Sequence, residues 1–175
     1  LASGLRACMR ETGHGDYRRY YDYMVSAAPH GEQWSSLVDR LTVHETCFFR
    51  HQSSMNLVRD VVLPAAFQDS DSVAAWSVGC ATGEEAYSLA MLLDVHCSSL
   101  PNGGSYRVIG TDISAPSLRH ARAGVYLNRR LGDVSEPLRE RYCQSVSNTR
   151  FSITARLRQN VEFFPLNLRD VAEAP

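Results

Sequence analysis

The sequence lacks any apolar run long enough to span a bilayer, and Leu1–Arg10 lacks the pattern of a secretory leader. It lacks a C-x-x-C pair. Its five cysteines, Cys8, Cys47, Cys80, Cys97 and Cys143, are odd in number and scattered, which predicts neither a disulfide framework nor a metal site. A reducing, cytoplasmic setting fits that usage. It also lacks charge of one sign: the formal net charge is −1, so no nucleic acid and no membrane surface is expected as a partner. What remains is an ordinary globular composition. The 175 residues are 44% hydrophobic and 21% charged, enough for one domain, or one with a small appendage.

The most informative stretch is Val73–Leu93, V-A-A-W-S-V-G-C-A-T-G-E-E-A-Y-S-L-A-M-L-L. Val73–Val78 reads as a short buried strand. Gly79 and Gly83 bracket a tight turn whose backbone a ligand can approach. From Glu84 onward Ala86, Leu89, Ala90 and Leu93 recur at helical spacing, with acids in the first turn where the helix dipole favours them. Tyr106–Thr111 is a second apolar run, closed by Asp112. A carboxylate one strand along from a glycine turn is placed for ribose hydroxyls. Strand, turn, helix and acid together predict an α/β fold that binds a nucleoside-containing cofactor.

Charge narrows the cofactor. A dinucleotide or nucleoside triphosphate sets its phosphates on the helix N-terminus, and here that end carries Glu84 and Glu85. Two carboxylates disfavour a diphosphate, and with it a nicotinamide enzyme. They suit a sulfonium and an ammonium group, as in S-adenosylmethionine. The glycine spacing departs from G-x-G-x-x-G, and no lysine follows the second glycine, which excludes a P-loop.

Residues up to about Leu41 read as three helices without strand signals. Leu5, Cys8 and Met9 share one face of the first, and Arg6 and Arg10 another. Gly13-His14-Gly15 ends it. Asp16 caps the second, Tyr17 to about Ala27, with Tyr20, Tyr21 and Met24 as its apolar side. Pro29-His30-Gly31 turns into the third, Glu32–Leu41. The next segment holds Phe48-Phe49-Arg50. An arginine behind a buried aromatic pair is well held to bind a carboxylate through its planar, permanently charged guanidinium. Met55–Phe67 reads as a helix broken at Pro64.

Taken in order, T-x-x-E-T-x-F-F-R, W-S-x-G-C-x-T-G-E-E-x-Y-S-L-A, G-T-D-I-S, A-R-A-G-V-Y, L-R-E-R-Y and V-E-F-F-P-L-N-L cover nearly the whole chain. This ordered set resembles the CheR-type chemoreceptor glutamate O-methyltransferases. The resemblance implies a small N-terminal helical domain, residues 1–41, before a Rossmann-like S-adenosylmethionine-dependent methyltransferase domain, residues 42–175. A small antiparallel β subdomain is inserted at about 124–160. A later motif of the family lies beyond Pro175, so the chain is expected to be a piece whose sheet is incomplete.

The resemblance also implies methyl transfer to glutamate side chains on the cytoplasmic helices of chemoreceptors, by a monomer. The alternative is a chemosensory module that keeps the fold without the catalysis. Carried over by position, His44, Thr46, Arg50, Glu85, Asp112, Asn167 and Leu168 fall on cofactor contacts, beside Gly79 of the turn. Arg50 falls on the catalytic arginine. Arg10 falls in the basic helix that meets the receptor. His44 stands where the family usually has asparagine. The short connection between Tyr142 and Val161 is similar to members that do not grip a receptor-tail pentapeptide.

Overall fold

A computed structural model describes residues 2–28, 31–42 and 46–173. The chain opens with three helices: α1 (Ala2–Glu11), α2 (Tyr17–Ser26) and α3 (Glu32–Leu41). Asp16 caps α2, its side chain accepting from the Arg19 N–H at 2.9 Å. Cys8, Met9, Tyr20 and Met24 are buried together, with Leu5, Tyr23 and Leu37 packed at the edge. Tyr21 is 66% exposed, so the apolar side of α2 includes Tyr23, which stacks on His14, and not Tyr21 as the sequence predicts.

Helix α4 (Gln52–Leu57) and helix α5 (Leu63–Ala66) are joined by a π-helical stretch, Val58–Val62. Pro64 therefore does not break the helix. The Leu63 N–H bonds back to the Val58 carbonyl, and the wider winding makes room for the ring of Pro64 and its missing N–H.

Strand β1 (Ser72–Val78), helix α6 (Glu84–Ser99), strand β2 (Ser105–Asp112) and helix α7 (Ala115–Ala123) follow. Then come β3 (Val125–Leu127), α8 (Glu136–Tyr142), β4 (Cys143–Ser147), β5 (Arg150–Ile153), α9 (Ala155–Arg158) and β6 (Val161–Pro165). Two sheets result. One is parallel in the order β1-β2-β6, with Val78 beside Thr111 and Asp112 beside Pro165; the other is antiparallel in the order β3-β5-β4. Helices α6 and α7 lie in the connections between the parallel strands, the usual way such strands are joined.

β2 is the central strand, and its residues Val108–Asp112 are all buried. Among the described residues β1 pairs on one side only, with β2, and Trp76 and Val78 are each 43% exposed. The strand faces inward at Val73, Ala75 and Ser77. Helix α6 is buried nearly all round, because both sheets and the segment at Phe48 pack on it. Asp94 ties that helix to the antiparallel part. Its carboxylate accepts from Arg141 Nη2 at 2.8 Å, the Tyr142 hydroxyl at 2.8 Å and the Tyr106 hydroxyl at 3.3 Å.

Candidate functional site

The turn after β1 is held open by left-handed backbone. Gly79 (φ 68°), Ala81 (φ 48°) and Gly83 (φ 94°) alternate with ordinary residues. Gly83 is doubly required: a Cβ there would also stand 2.7 Å from the Cβ of Ala121. Ala81 has no such freedom, and its conformation costs about 1 kcal/mol. Asp112 holds it. One carboxylate oxygen accepts from the Ala81 N–H at 2.8 Å, the other from the Ser114 N–H at 2.8 Å. A carboxylate has room for further donors on each oxygen, so Asp112 can fix the turn and still accept from two ligand hydroxyls. The acid is legible in the sequence, whereas its hold on the turn depends on a contact 31 residues away.

The two acids opening α6 part company. Glu85 lines the cavity beside the turn and accepts from the Ser77 hydroxyl at 2.7 Å. Glu84 is fully buried and points away from that cavity; it accepts from the Thr82 hydroxyl at 2.6 Å, and its other oxygen has no hydrogen bond. Burial pushes the Glu84 carboxyl above its ordinary range. At the cavity, therefore, Glu85 and not Glu84 is the acid that disfavours a diphosphate. Ser77, which orients it, was missed. Its signal was its place as the last inward residue of β1.

Phe48 is completely buried, edge-on to Tyr126 with ring centroids 5.0 Å apart and tilted against Phe151 at 5.7 Å. Phe49 is also buried and takes φ 54°, a strained value for an aromatic residue; its N–H donates to the Ser88 hydroxyl at 3.0 Å. That reversal brings Arg50 into the wall of the Glu85 cavity. The cavity measures about 170 Å³ and is lined by Thr46, Arg50, Gly79, Ala81 and Glu85, among others.

Four residues predicted from sequence, Thr46, Arg50, Gly79 and Glu85, thus share one cavity. Asp112 touches it through Ala81. Asn167 and Leu168 do not line it. They follow β6 at the same strand ends as Asp112, whose carbonyl accepts from the Leu166 N–H at 3.0 Å. Asn167 accepts from the Arg169 N–H, and Leu168 is 58% exposed. Arg10 is exposed in the last turn of α1 and lines none of these walls. His44 lies outside the described residues. A larger groove of about 580 Å³ against β6, bordered by Arg122, Arg158 and Phe164, contains none of the predicted residues.

The volume beside the turn is below the roughly 300 Å³ of a pocket that encloses a small molecule, so it takes one end of a ligand. A carboxylate and a guanidinium facing one small space suit a zwitterionic amino-acid end. A second carboxylate at the next strand suits a ribose. The donor set fits S-adenosylmethionine.

Comparison with known proteins agrees. Residues 44–175 match the family model described as CheR methyltransferase, SAM binding domain. The chain is 25% identical over 175 residues to the chemotaxis protein methyltransferase of Borreliella burgdorferi, covering 97% of this chain and 62% of that protein. It is 30% identical over 164 residues to the Escherichia coli chemotaxis protein methyltransferase, covering 91% and 54%. It is 32% identical over 148 residues to that of Vibrio parahaemolyticus, covering 83% and 54%. The chain therefore spans between half and two-thirds of the length of these relatives. A family match over most of its residues, on a turn whose acids and arginine suit S-adenosylmethionine, makes this chain a member of the CheR methyltransferase family, carrying its SAM-binding domain.

Proposed function

We propose that this chain is the cofactor-binding and catalytic portion of an enzyme that methylates glutamate side chains of chemoreceptors. The observation that carries the reading is the convergence of Arg50 with Glu85, Gly79 and Ala81 on one cavity. Residues 1–41 form the helical domain and residues 42–175 the methyltransferase domain, with the β3-β5-β4 sheet as its inserted subdomain. The enzyme acts in the cytoplasm.

S-adenosylmethionine supplies an electrophilic methyl group on a positive sulfonium. Thr46, Arg50, Gly79, Glu85, Asp112, Asn167 and Leu168 hold that cofactor, with Asp112 on the ribose and Glu85 toward the positive end. His44 completes this set by position. The accepting glutamate is already ionised near neutral pH, so no general base is needed. The protein's work is alignment. Arg50 fixes one oxygen of the accepting carboxylate and leaves the other facing the methyl donor. Its grip must stay moderate, since a tight bidentate bond would damp the nucleophile. Arg10, on α1, meets the acidic receptor helix. The β4 edge is bulged between Ser145 and Ser147, a feature that discourages an added strand and supports recognition without a tail pentapeptide.

The test uses the full-length protein with labelled S-adenosylmethionine and a receptor cytoplasmic fragment. Arg50→Ala is expected to lower turnover by roughly a hundredfold while S-adenosylhomocysteine affinity changes only a few-fold. Absence of S-adenosylhomocysteine binding by calorimetry, or full turnover in well-folded Arg50→Ala, refutes the reading.

A further inference from the structure

We infer that Arg129 reads a second acidic side chain on the substrate, close in sequence to the glutamate held by Arg50. The inference rests on the carboxylate-methylating reading above and adds a specificity residue to it.

A groove of about 410 Å³ opens beside the cofactor cavity and is lined by Thr46, Cys47, Arg50, Arg129 and Arg130. It shares Thr46, Cys47 and Arg50 with that cavity, whose acid, Glu85, is not part of the groove wall. The groove is therefore the cationic annex of the site. All 18 basic residues of the chain are arginines, so each cation here is a guanidinium with the planar fork that matches a carboxylate.

The arginines are not equivalent. Arg130 is a wall: it donates to the Thr46 carbonyl, and its Nη1 lies 4.0 Å from the buried Glu84 carboxylate. Arg50 is committed to the accepting glutamate. Arg129 is exposed on the 3-10 turn Asn128–Leu131, and its side chain makes no hydrogen bond or ion pair with any described residue. Asp133, four residues on, is exposed and does not pair with it. An isolated exposed arginine would be an ordinary solvated charge. Arg129 differs because it shares a concave wall with the arginine that binds the substrate carboxylate. A glutamate-bearing segment that reaches Arg50 through this groove passes along that wall. A neutral or basic neighbour would leave Arg129 facing no counter-charge, whereas an acidic one pairs with it.

Initial rates of methyl transfer by the full-length protein test this, with two receptor fragments as probes. One is natural; in the other the acidic residues flanking the accepting glutamate are changed to glutamine. For the natural fragment, Arg129→Gln is expected to raise KM about tenfold, with kcat within about twofold and S-adenosylhomocysteine affinity unchanged. Arg129→Lys should recover part of the loss. The neutralised fragment should raise the wild-type KM similarly and add little in Arg129→Gln. An unchanged KM in Arg129→Gln, or a fall in kcat alone, overturns the inference while leaving the methyltransferase reading intact. An independent, additive effect of the two changes overturns it as well. Failure of the wild-type protein to methylate either fragment defeats both.

Discussion

The two hydrophobic cores formed by the described residues are built differently. Among the described residues around α1–α3, Cys8, Met9, Tyr20 and Met24 are buried, and α3 has no buried residue. Around α6 a continuous core joins Phe48 and Phe49 to Tyr87, Tyr126, Phe151 and Phe163, and spans both sheets. The small core depends on accessories: the Asp16 cap, the Arg40–Glu11 ion pair and the close packing of Gly4 on the Arg40 carbonyl. The large core also shapes the Glu85 cavity, since the segment it buries at Phe48-Phe49 brings Arg50 into its wall. The two meet where the Ser114 hydroxyl, one residue pair beyond Asp112, donates to Asp39 of α3. The contrast teaches that rigidity is concentrated where geometry must be exact, while the helical part has the few buried contacts of a unit that opens locally.

The largest effect should come from Phe48→Ala. Removing a fully buried ring costs about 3–5 kcal/mol, which lowers the melting temperature of a chain this size by roughly 10 °C. Calorimetry checks it. A loss confined to the N-terminal helices, with the main transition unmoved, would erase the distinction between the cores.

A smaller and local effect is expected from Asp16→Ala. Loss of the cap costs about 1 kcal/mol. Hydrogen exchange of the Tyr17–Ser26 amides should quicken about fivefold, with exchange in β2 unchanged. Equal acceleration in β2 would show one cooperative unit.

The finest comparison uses two thiols. Cys8 and Cys80 are both buried, at 4% and 2% exposure, but in different cores. Burial and the nearby Asp112 push Cys80 up to about 12. At pH 8 its thiolate fraction is then roughly one in ten thousand. Native-state alkylation should modify Cys8 first. The sign of the linkage follows: the unfolded thiol releases its proton near its ordinary 9.0, the folded one near 12, so this group removes stability as pH rises through that interval and has no effect below it. Faster labelling of Cys80 than of Cys8 at pH 8 would invert the ranking.

Much of this was legible because its signals are local. Glu32–Leu41 is a helix with the predicted bounds, and Asp16 caps α2. Asp112 ends β2 as its position after Tyr106–Thr111 required. What was not legible depends on partners distant in sequence. Nothing in an alanine or a phenylalanine announces a left-handed backbone. Ala81 and Phe49 adopt it because Asp112 and Ser88 hold their N–H groups. Glu84 and Glu85 are identical in type, and only the packing of α6 decides which one faces the cavity. Tyr21 and Tyr23 differ in burial because His14 stacks on one and not the other. Pro64 looks like a stop until the π winding before it is known.

The placement of the antiparallel sheet between β2 and β6 also sets an order of assembly. β4 and β5 are joined by Asn148 and Thr149 and can zip within microseconds of both being available. β2 ends at Asp112, and its neighbour β6 does not begin until Val161. A nascent chain therefore carries Val108–Asp112 as an open apolar edge while the hairpin is already formed. Leu166 reaches the Asp112 carbonyl, and Asn167 and Leu168 arrive beside it, only once β6 has paired with β2. The backbone that closes this edge is thus the one that brings these residues to the strand ends, so a molecule in which β6 has not docked lacks them beside Asp112.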